Sequence, residues 1–301
     1  EISKLLQAIR FRHLHEEDGG LSRRNRQKEK NMKIKRTIVY SDPLNEDFSG
    51  SKFKNVPLPK KYKFFVWRPI YWVFQEFLYY VIAVPLMWVI GKIGWGFKVK
   101  GKRKIKKARL GRKGYFVYGN HTTRADAFFG PVGVCLPRHA YIITSDNVMQ
   151  HRILLPLLRM LAAIPLPSYP EQVERFNECI RRRYRRGEPI IIFPEAHIWP
   201  YCTRIRPFPD QSFTYPAQLG APVFGMCVTY EEHKILKFLK PRAVIHISNP
   251  IYPDMSKPLG ERTHELREAV YNFMEDTAAS LDNVEYWRYV YKPKEKEDKQ
   301  D

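Results

Sequence analysis

GYFVYGNHTTRAD, residues 114–126, holds the reading of this chain: an apolar run stops at Gly119-Asn120, a histidine follows, and Asp126 stands five positions beyond it. A short apolar run bounded by turn residues reads as a buried strand, and the polar residues after it read as a turn into a helix. On a continuous helix a five-residue offset separates two side chains in rotation, so His121 and Asp126 can meet only if the histidine lies in the turn ahead of the helix. Gly119-Asn120 before it and Thr122-Thr123 after it supply that turn. Thr123-x-x-Asp126 also matches a capping box with Asp in place of the commoner Glu. Asp126 therefore has two candidate roles, helix-start carboxylate and partner of His121.

The same texture continues downstream. Tyr115–Tyr118, Tyr141–Thr144, Pro189–Phe193, Pro222–Val228 and Ala243–Ile247 are short apolar runs of the kind that form strands buried on both faces. Val148–Leu161, Glu171–Arg186 and Pro209–Leu219 have helical composition and separate several of them, and Ser256–Leu281 carries Leu259, Leu266, Val270 and Phe273 on one face of a closing helix. Alternation of this kind predicts an α/β fold, a mostly parallel sheet flanked by helices, in which chemistry sits at the C-terminal ends of strands. His121 stands at such an end.

Upstream the composition changes twice. Residues 1–62 form a polar, basic extension whose run SRRNRQKEKNMKIKR (Ser22–Arg36) and breaker-rich SDPLNEDFSGSK predict weak order, or order only against another surface, with at most a short helix over Ile2–Leu14. Residues 63–97 are dense in aromatic and aliphatic side chains. Residues 77–91 carry no charge and as a helix would reach about 22 Å, short of a hydrocarbon core of about 30 Å. Pro85 should kink the run, while Trp72, Tyr79, Tyr80, Trp88 and Trp95 are of the types that settle at the headgroup boundary. The expectation is a membrane-interfacial or re-entrant helix pair, followed by the basic segment Lys98–Lys113 facing an anionic surface. The α/β domain then spans 98–290, and 291–301 is a charged, mobile tail.

With 44% hydrophobic residues the chain can build a packed core, and a net charge of +21 requires a polyanionic neighbour. No nucleic-acid module appears, and an uncharged aromatic stretch does not suit a soluble nucleic-acid binder, so an anionic membrane surface is expected and nucleic acid is not. Cys135, Cys179, Cys202 and Cys227 form no CxxC pair and no His/Cys group at zinc spacing, which predicts buried, reduced thiols and no metal. EISKLLQAIRFRHLHEEDGG has no apolar core with a cleavage site, so no signal peptide is expected, and the missing initiator Met suggests a trimmed chain.

NHTTRAD (Asn120–Asp126) resembles the NHxxxxD block of the glycerolipid acyltransferases, the glycerol-phosphate and lysophosphatidic acid acyltransferase family. Phe193-Pro194-Glu195-Ala196 is similar to that family's FPEG block, and Ala221-Pro222-Val223-Phe224 to its small-Pro-apolar block. The resemblance covers about residues 70–250. It implies transfer of a fatty acyl group from a thioester donor, acyl-CoA or acyl carrier protein, to a lysophospholipid hydroxyl at the cytoplasmic face of a cell membrane, with 1-acyl-sn-glycerol-3-phosphate as acceptor and no cofactor. Within it His121 and Asp126 are the catalytic pair, and Asn120, Pro194, Glu195, Arg204 and Arg206 contact or position substrate.

Two departures bear on the acceptor. Where the family has an arginine-bearing block, AAIPLPSYPEQVERF offers no arginine before Arg175, and the FPEG glycine is Ala196, followed by HIWPYCTRIRPF. Arg204 and Arg206 could supply the phosphate contact, since a guanidinium grips phosphate in a bidentate fork. A different lysolipid acceptor, or a non-catalytic protein binding membrane or nucleic acid on the same fold, are the alternatives. Sedimentation with vesicles containing anionic lipid, and none with duplex DNA, is the expected outcome; the opposite partition would contradict the membrane reading.

Overall fold

The computed structural model describes residues 34–50, 56–66, 68–145, 155–233, 238–280 and 283–293. The elements run β1 (Arg36–Tyr40), α1 (Pro69–Trp95), β2 (Lys98–Lys100), α2 (Lys102–Lys107), β3 (Phe116–Gly119), α3 (Asp126–Cys135), β4 (Tyr141–Thr144), α4 (Leu155–Met160), β5 (Ala163–Pro165), α5 (Pro170–Arg185), β6 (Ile190–Ile192), α6 (Thr214–Leu219), β7 (Val223–Glu231), β8 (Arg242–Ile247), α7 (Leu259–Ser280) and β9 (Trp287–Tyr291). The expected Ile2–Leu14 helix, most of the basic run and residues 294–301 of the tail lie outside the described residues, as do residues 148–154 of the expected Val148–Leu161 helix.

β3 is where the sheet organises itself. All of its residues are buried, so both edges of its backbone need partners, and β6 and β7 supply them, each in parallel. The 7-stranded sheet has the order β2-β8-β7-β3-β6-β4-β5, parallel at every junction except β7–β8. Alternation along β3 feeds two cores: Phe116 and Tyr118 pack with α5, α6 and α7, while Val117 packs with Phe97, Phe129 and Val134 on the other face. The expected α/β class and all five expected strands are present.

Parallel pairing also decides where the sequence blocks go. Because Tyr118 pairs with Ile192, the chain leaves β3 and β6 at the same edge, and Asn120–Asp126 and Phe193–Ala196 emerge side by side. The third block does not join them. Val223 pairs with Phe116, so Ala221–Phe224 opens β7 at the opposite end of β3, where it packs the sheet.

The apolar block departs from the expected helix pair: α1 is one helix of 27 residues, about 40 Å long. Pro85 does not break it, because the preceding turn, Leu78–Ala83, is π-helical and the Val84 N–H donates to the Tyr79 carbonyl, one residue further back than in an α-helix. Glu76 does not end the apolar stripe either, since it turns onto the domain and meets His139 Nδ1 at 2.8 Å. Gln75 donates to the Tyr141 hydroxyl and Tyr79 stacks on His139 at 3.8 Å, so one face of α1 is fastened along the sheet domain. The other face carries Val73, Phe74, Phe77, Val81, Leu86, Trp88 and Val89 into the open, between Ile70 at 87% and Ile93 at 82% exposure. By length and composition α1 is the one helix among the described residues able to cross a membrane, but a helix bound lengthwise to a polar domain presents a flank, as an interfacial helix does.

The polar extension is better ordered than expected. β1 pairs in parallel with β9, and Leu58, Tyr62 and Phe64 are buried in the main core. β1 holds the short run Thr37-Ile38-Val39-Tyr40 between basic and turn residues, and its partner lies some 250 residues away. β2 and β5, three residues each, were likewise too short to show a period.

Gly114 opens β3 where the chain passes the end of α5, and a methyl group there would stand 2.4 Å from the Glu188 carbonyl oxygen. Backbone cannot swing aside as a side-chain tip can. Gly114→Ala should cost about 1–3 kcal/mol in chemical denaturation, the range for overpacking; an unchanged midpoint would contradict the packing described.

Candidate active site

At the exit of β3 a buried carboxylate gathers two backbone donors of the turn and the imidazole on one oxygen. Asp126 is fully buried at the start of α3, and its Oδ2 accepts the N–H groups of Thr122 at 2.7 Å and Thr123 at 2.8 Å. The same oxygen lies 3.1 Å from His121 Nδ1. Both candidate roles of Asp126 are thus realised by one atom: it closes the helix start and holds the imidazole. Burial pushes its carboxyl above the usual range, and the His121 contact and the two backbone N–H groups pull it back. An ionised Asp126 fixes the histidine proton on Nδ1 and leaves Nε2 as the acceptor. The ring stacks on Phe193 with centroids 4.5 Å apart, and its side chain is 15% exposed, fixed yet reachable from solvent.

Glu195 is the second knot. It is buried, its Oε2 accepts the His121 N–H at 3.1 Å and Arg206 Nη2 at 2.9 Å, and its Oε1 accepts the Arg206 N–H at 3.0 Å. Arg206, 1% exposed, also donates to the His197 carbonyl and lies over Trp199, so its Nη2 is committed to the protein while Nε and Nη1 are buried with no hydrogen-bond partner. The loop between these residues closes on the turn: Trp199 N–H donates to the His121 carbonyl at 3.1 Å and Tyr201 N–H to the Thr122 carbonyl at 3.0 Å. Both backbone polar groups of His121 are therefore held by residues 195–199.

The remaining expected site residues divide. Asn120 is buried and acts as a surrogate peptide group: its Nδ2 donates to the Val228 carbonyl at 3.0 Å and its Oδ1 accepts the Val228 N–H at 2.8 Å, extending the β3–β7 ladder by one rung as the chain turns away. That occupies its amide and leaves it a structural position. Pro194 starts the tight turn after β6, in which the Ala196 N–H reaches the Phe193 carbonyl at 3.1 Å. Arg204 is partly exposed, while Arg124, exposed on the histidine turn, donates to the Ser49 carbonyl at 2.6 Å. Trp199 and Tyr230, whose hydroxyl donates to Thr122 Oγ1 at 2.8 Å, are residues around the histidine turn that sequence reasoning missed, as it did the stacking of Phe193 on His121. Aromatic residues at strand ends give no signal that separates them from core. All four cysteines are free and buried, and among the described residues no group of His, Cys, Asp or Glu is arranged to hold a metal ion.

Comparison with known proteins meets this geometry in the same segment. Residues 96–229 match the family model described as Acyltransferase, a stretch that contains His121, Asp126, Glu195 and both candidate arginines. It is the same segment in which the blocks resembling the glycerolipid acyltransferases lie. No match is found among curated proteins. Among solved structures the chain is similar to the crystal structure of the 1-acyl-sn-glycerophosphate (LPA) acyltransferase PlsC from Thermotoga maritima, with 17% identity over 71% of this chain and 90% of that one and a TM-score of 0.49.

Ala196 sits at φ +63°, in the left-handed region that the family's glycine would occupy without cost. Ala196→Gly should therefore stabilise the fold by up to about 1 kcal/mol, the reverse of the usual glycine penalty. A lowered thermal midpoint would contradict the strain assigned to this turn.

Proposed function

We propose that the chain moves a fatty acyl group from a thioester donor, acyl-CoA or acyl carrier protein, to the hydroxyl of a lysophospholipid, in phospholipid synthesis. The observation that carries this reading is the His121–Asp126 contact, made in a turn held on both sides of the histidine backbone, with the His121 side chain still partly exposed. In this reading Nε2 takes the proton of the acceptor hydroxyl as its oxygen attacks the thioester carbonyl carbon. The tetrahedral adduct collapses, the C–S bond breaks, and the departing thiolate takes the proton back from the imidazolium. Asp126 stabilises the imidazolium between these steps, as the acid of a serine-hydrolase triad does. No protein nucleophile is needed, because the acceptor brings its own hydroxyl.

The membrane forms the second part of the reading. Donor and acceptor both carry acyl chains, and the exposed face of α1, continuous with the lysine-rich β2 and α2, suits an anionic bilayer surface. We infer a peripheral or monotopic protein at the cytoplasmic face of the cell membrane, with residues 63–97 as interfacial segment and 98–290 as catalytic domain.

For the acceptor, 1-acyl-sn-glycerol-3-phosphate is the first candidate, with Arg204 as its phosphate ligand. One observation favours a second acceptor: Arg206 is 1% exposed and paired with Glu195, which holds one of the two guanidinium groups away from a phosphate at the surface. The test is thiol release from a long-chain acyl-CoA in mixed micelles, with a panel of lysolipids. Acceptor-dependent release that falls at least about 10²-fold in His121→Ala is expected, within the range of general-base catalysis. Asp126→Asn should lose turnover with little loss of thermal stability. Retention of more than a tenth of wild-type turnover by His121→Ala would overturn the assignment.

A further inference from the structure

The matched acyltransferase region ends at residue 229 and begins at 96, yet the loop that grips His121 is itself gripped by segments outside those limits. The indole of Trp199 stacks on Tyr289 of β9 with centroids 4.9 Å apart. It meets Tyr40 of β1 edge-on at 4.7 Å and Phe48 at 5.1 Å. Its Nε1 donates to the Glu46 carbonyl at 2.7 Å. One residue earlier, the Ile198 carbonyl accepts the Phe48 N–H at 3.1 Å, and one residue later the Pro200 carbonyl accepts the Tyr289 hydroxyl at 2.9 Å. Three successive residues of the loop are thus each tied to the strap 41–50 or to β9.

The strap is built to hold a shape. Asp42 Oδ1 accepts the N–H groups of Leu44 and Asn45, and Glu46 Oε1 accepts those of Ser41 and Asp42 together with the Ser41 hydroxyl. Side chains that cap their own turn in this way reduce the freedom of the segment before it touches anything else. Beyond Phe48 the Ser49 carbonyl accepts Arg124 Nη2 at 2.6 Å, so the strap reaches the histidine turn from the other side as well. A simple anchoring role would have been met by the β1–β9 pairing; these bonds instead converge on residues 198–200, whose middle member bonds the His121 carbonyl.

We propose that Trp199 is a positioning residue, through which the N-terminal strap and β9 set the placement of His121 against Asp126. The inference rests on the acyl-transfer reading of that pair. The physical reason is the steep dependence of proton transfer on placement: a misplacement on the order of 1 Å can cost about 10²-fold in rate. The His121 carbonyl takes its bond from Trp199, while Asp126 accepts the N–H groups of Thr122 and Thr123, so loosening Trp199 acts first on the histidine side of the pair.

The experiment measures kcat and KM for donor and acceptor, with thermal midpoints, in the full-length chain for Trp199→Phe, Phe48→Ala, Phe48→Tyr and His121→Ala. Trp199→Phe keeps a ring in the stack and removes the Nε1–Glu46 bond, and Phe48→Ala removes a strap contact without touching the loop's own side chains. The proposal expects each to lower kcat about 5- to 20-fold with both KM values within twofold of wild type, assayed well below the thermal midpoint. Phe48→Tyr, which restores the ring, should recover kcat to within twofold. If Trp199→Phe and Phe48→Ala keep wild-type kcat once the folded fraction is accounted for, or change KM alone, the positioning role is overturned while the His121 assignment stands. If His121→Ala remains active, the underlying acyl-transfer reading fails first, and with it this proposal.

Discussion

Glu195 is a carboxylate removed from water, and both its oxygens find donors, at the backbone of His121 and at the backbone and guanidinium of Arg206. Removing either partner would leave an uncompensated buried charge, which is far more costly than the pair itself is stabilising. That constraint joins the exits of β3 and β6 and carries the chain across the site to Arg206. Around it the loop folds back so that Trp199 and Tyr201 reach the carbonyls of His121 and Thr122. The imidazole is thereby aimed by its backbone, its ring stack on Phe193 and its bond to Asp126, three constraints of independent origin.

The sheet makes this convergence possible. Two parallel neighbours leave the sheet at one edge, so blocks some 70 residues apart in sequence become adjacent without any direct attraction between them. α1 is fastened to the same body through Gln75, Glu76 and Tyr79, which leaves its apolar flank exposed, and the basic β2 and α2 follow it in the chain.

Much of this was legible in the sequence because it follows from local rules. Buried strands appear as runs such as YIIT and III, and the turn at Gly119-Asn120 places His121 ahead of the helix that Asp126 opens. The paired role of Asp126 was readable as two alternatives, and both turn out to be met by one oxygen. What stayed hidden depends on distant partners. That Asn120 would spend its amide on Val228, or that Arg206 would be buried against Glu195, cannot be read from spacing, since a surface arginine and a buried one look alike in sequence. Reading Glu76 as the limit of the apolar stripe failed for a related reason: its charge is turned inward onto His139. The extension concealed β1 because that strand makes sense only when β9 is beside it.

The central claim is that Glu195 braces the site rather than binding the acceptor, and the separate measurement of kcat and acceptor KM in Glu195→Gln tests it most directly. Glutamine keeps the size but turns one acceptor into a donor facing groups that are themselves donors. The account predicts a fall in kcat of about tenfold or more with the acceptor KM within twofold of wild type, the pattern of a disturbed transition-state geometry. A raised acceptor KM with kcat unchanged would contradict it, and would make Glu195 a direct ligand of the acceptor.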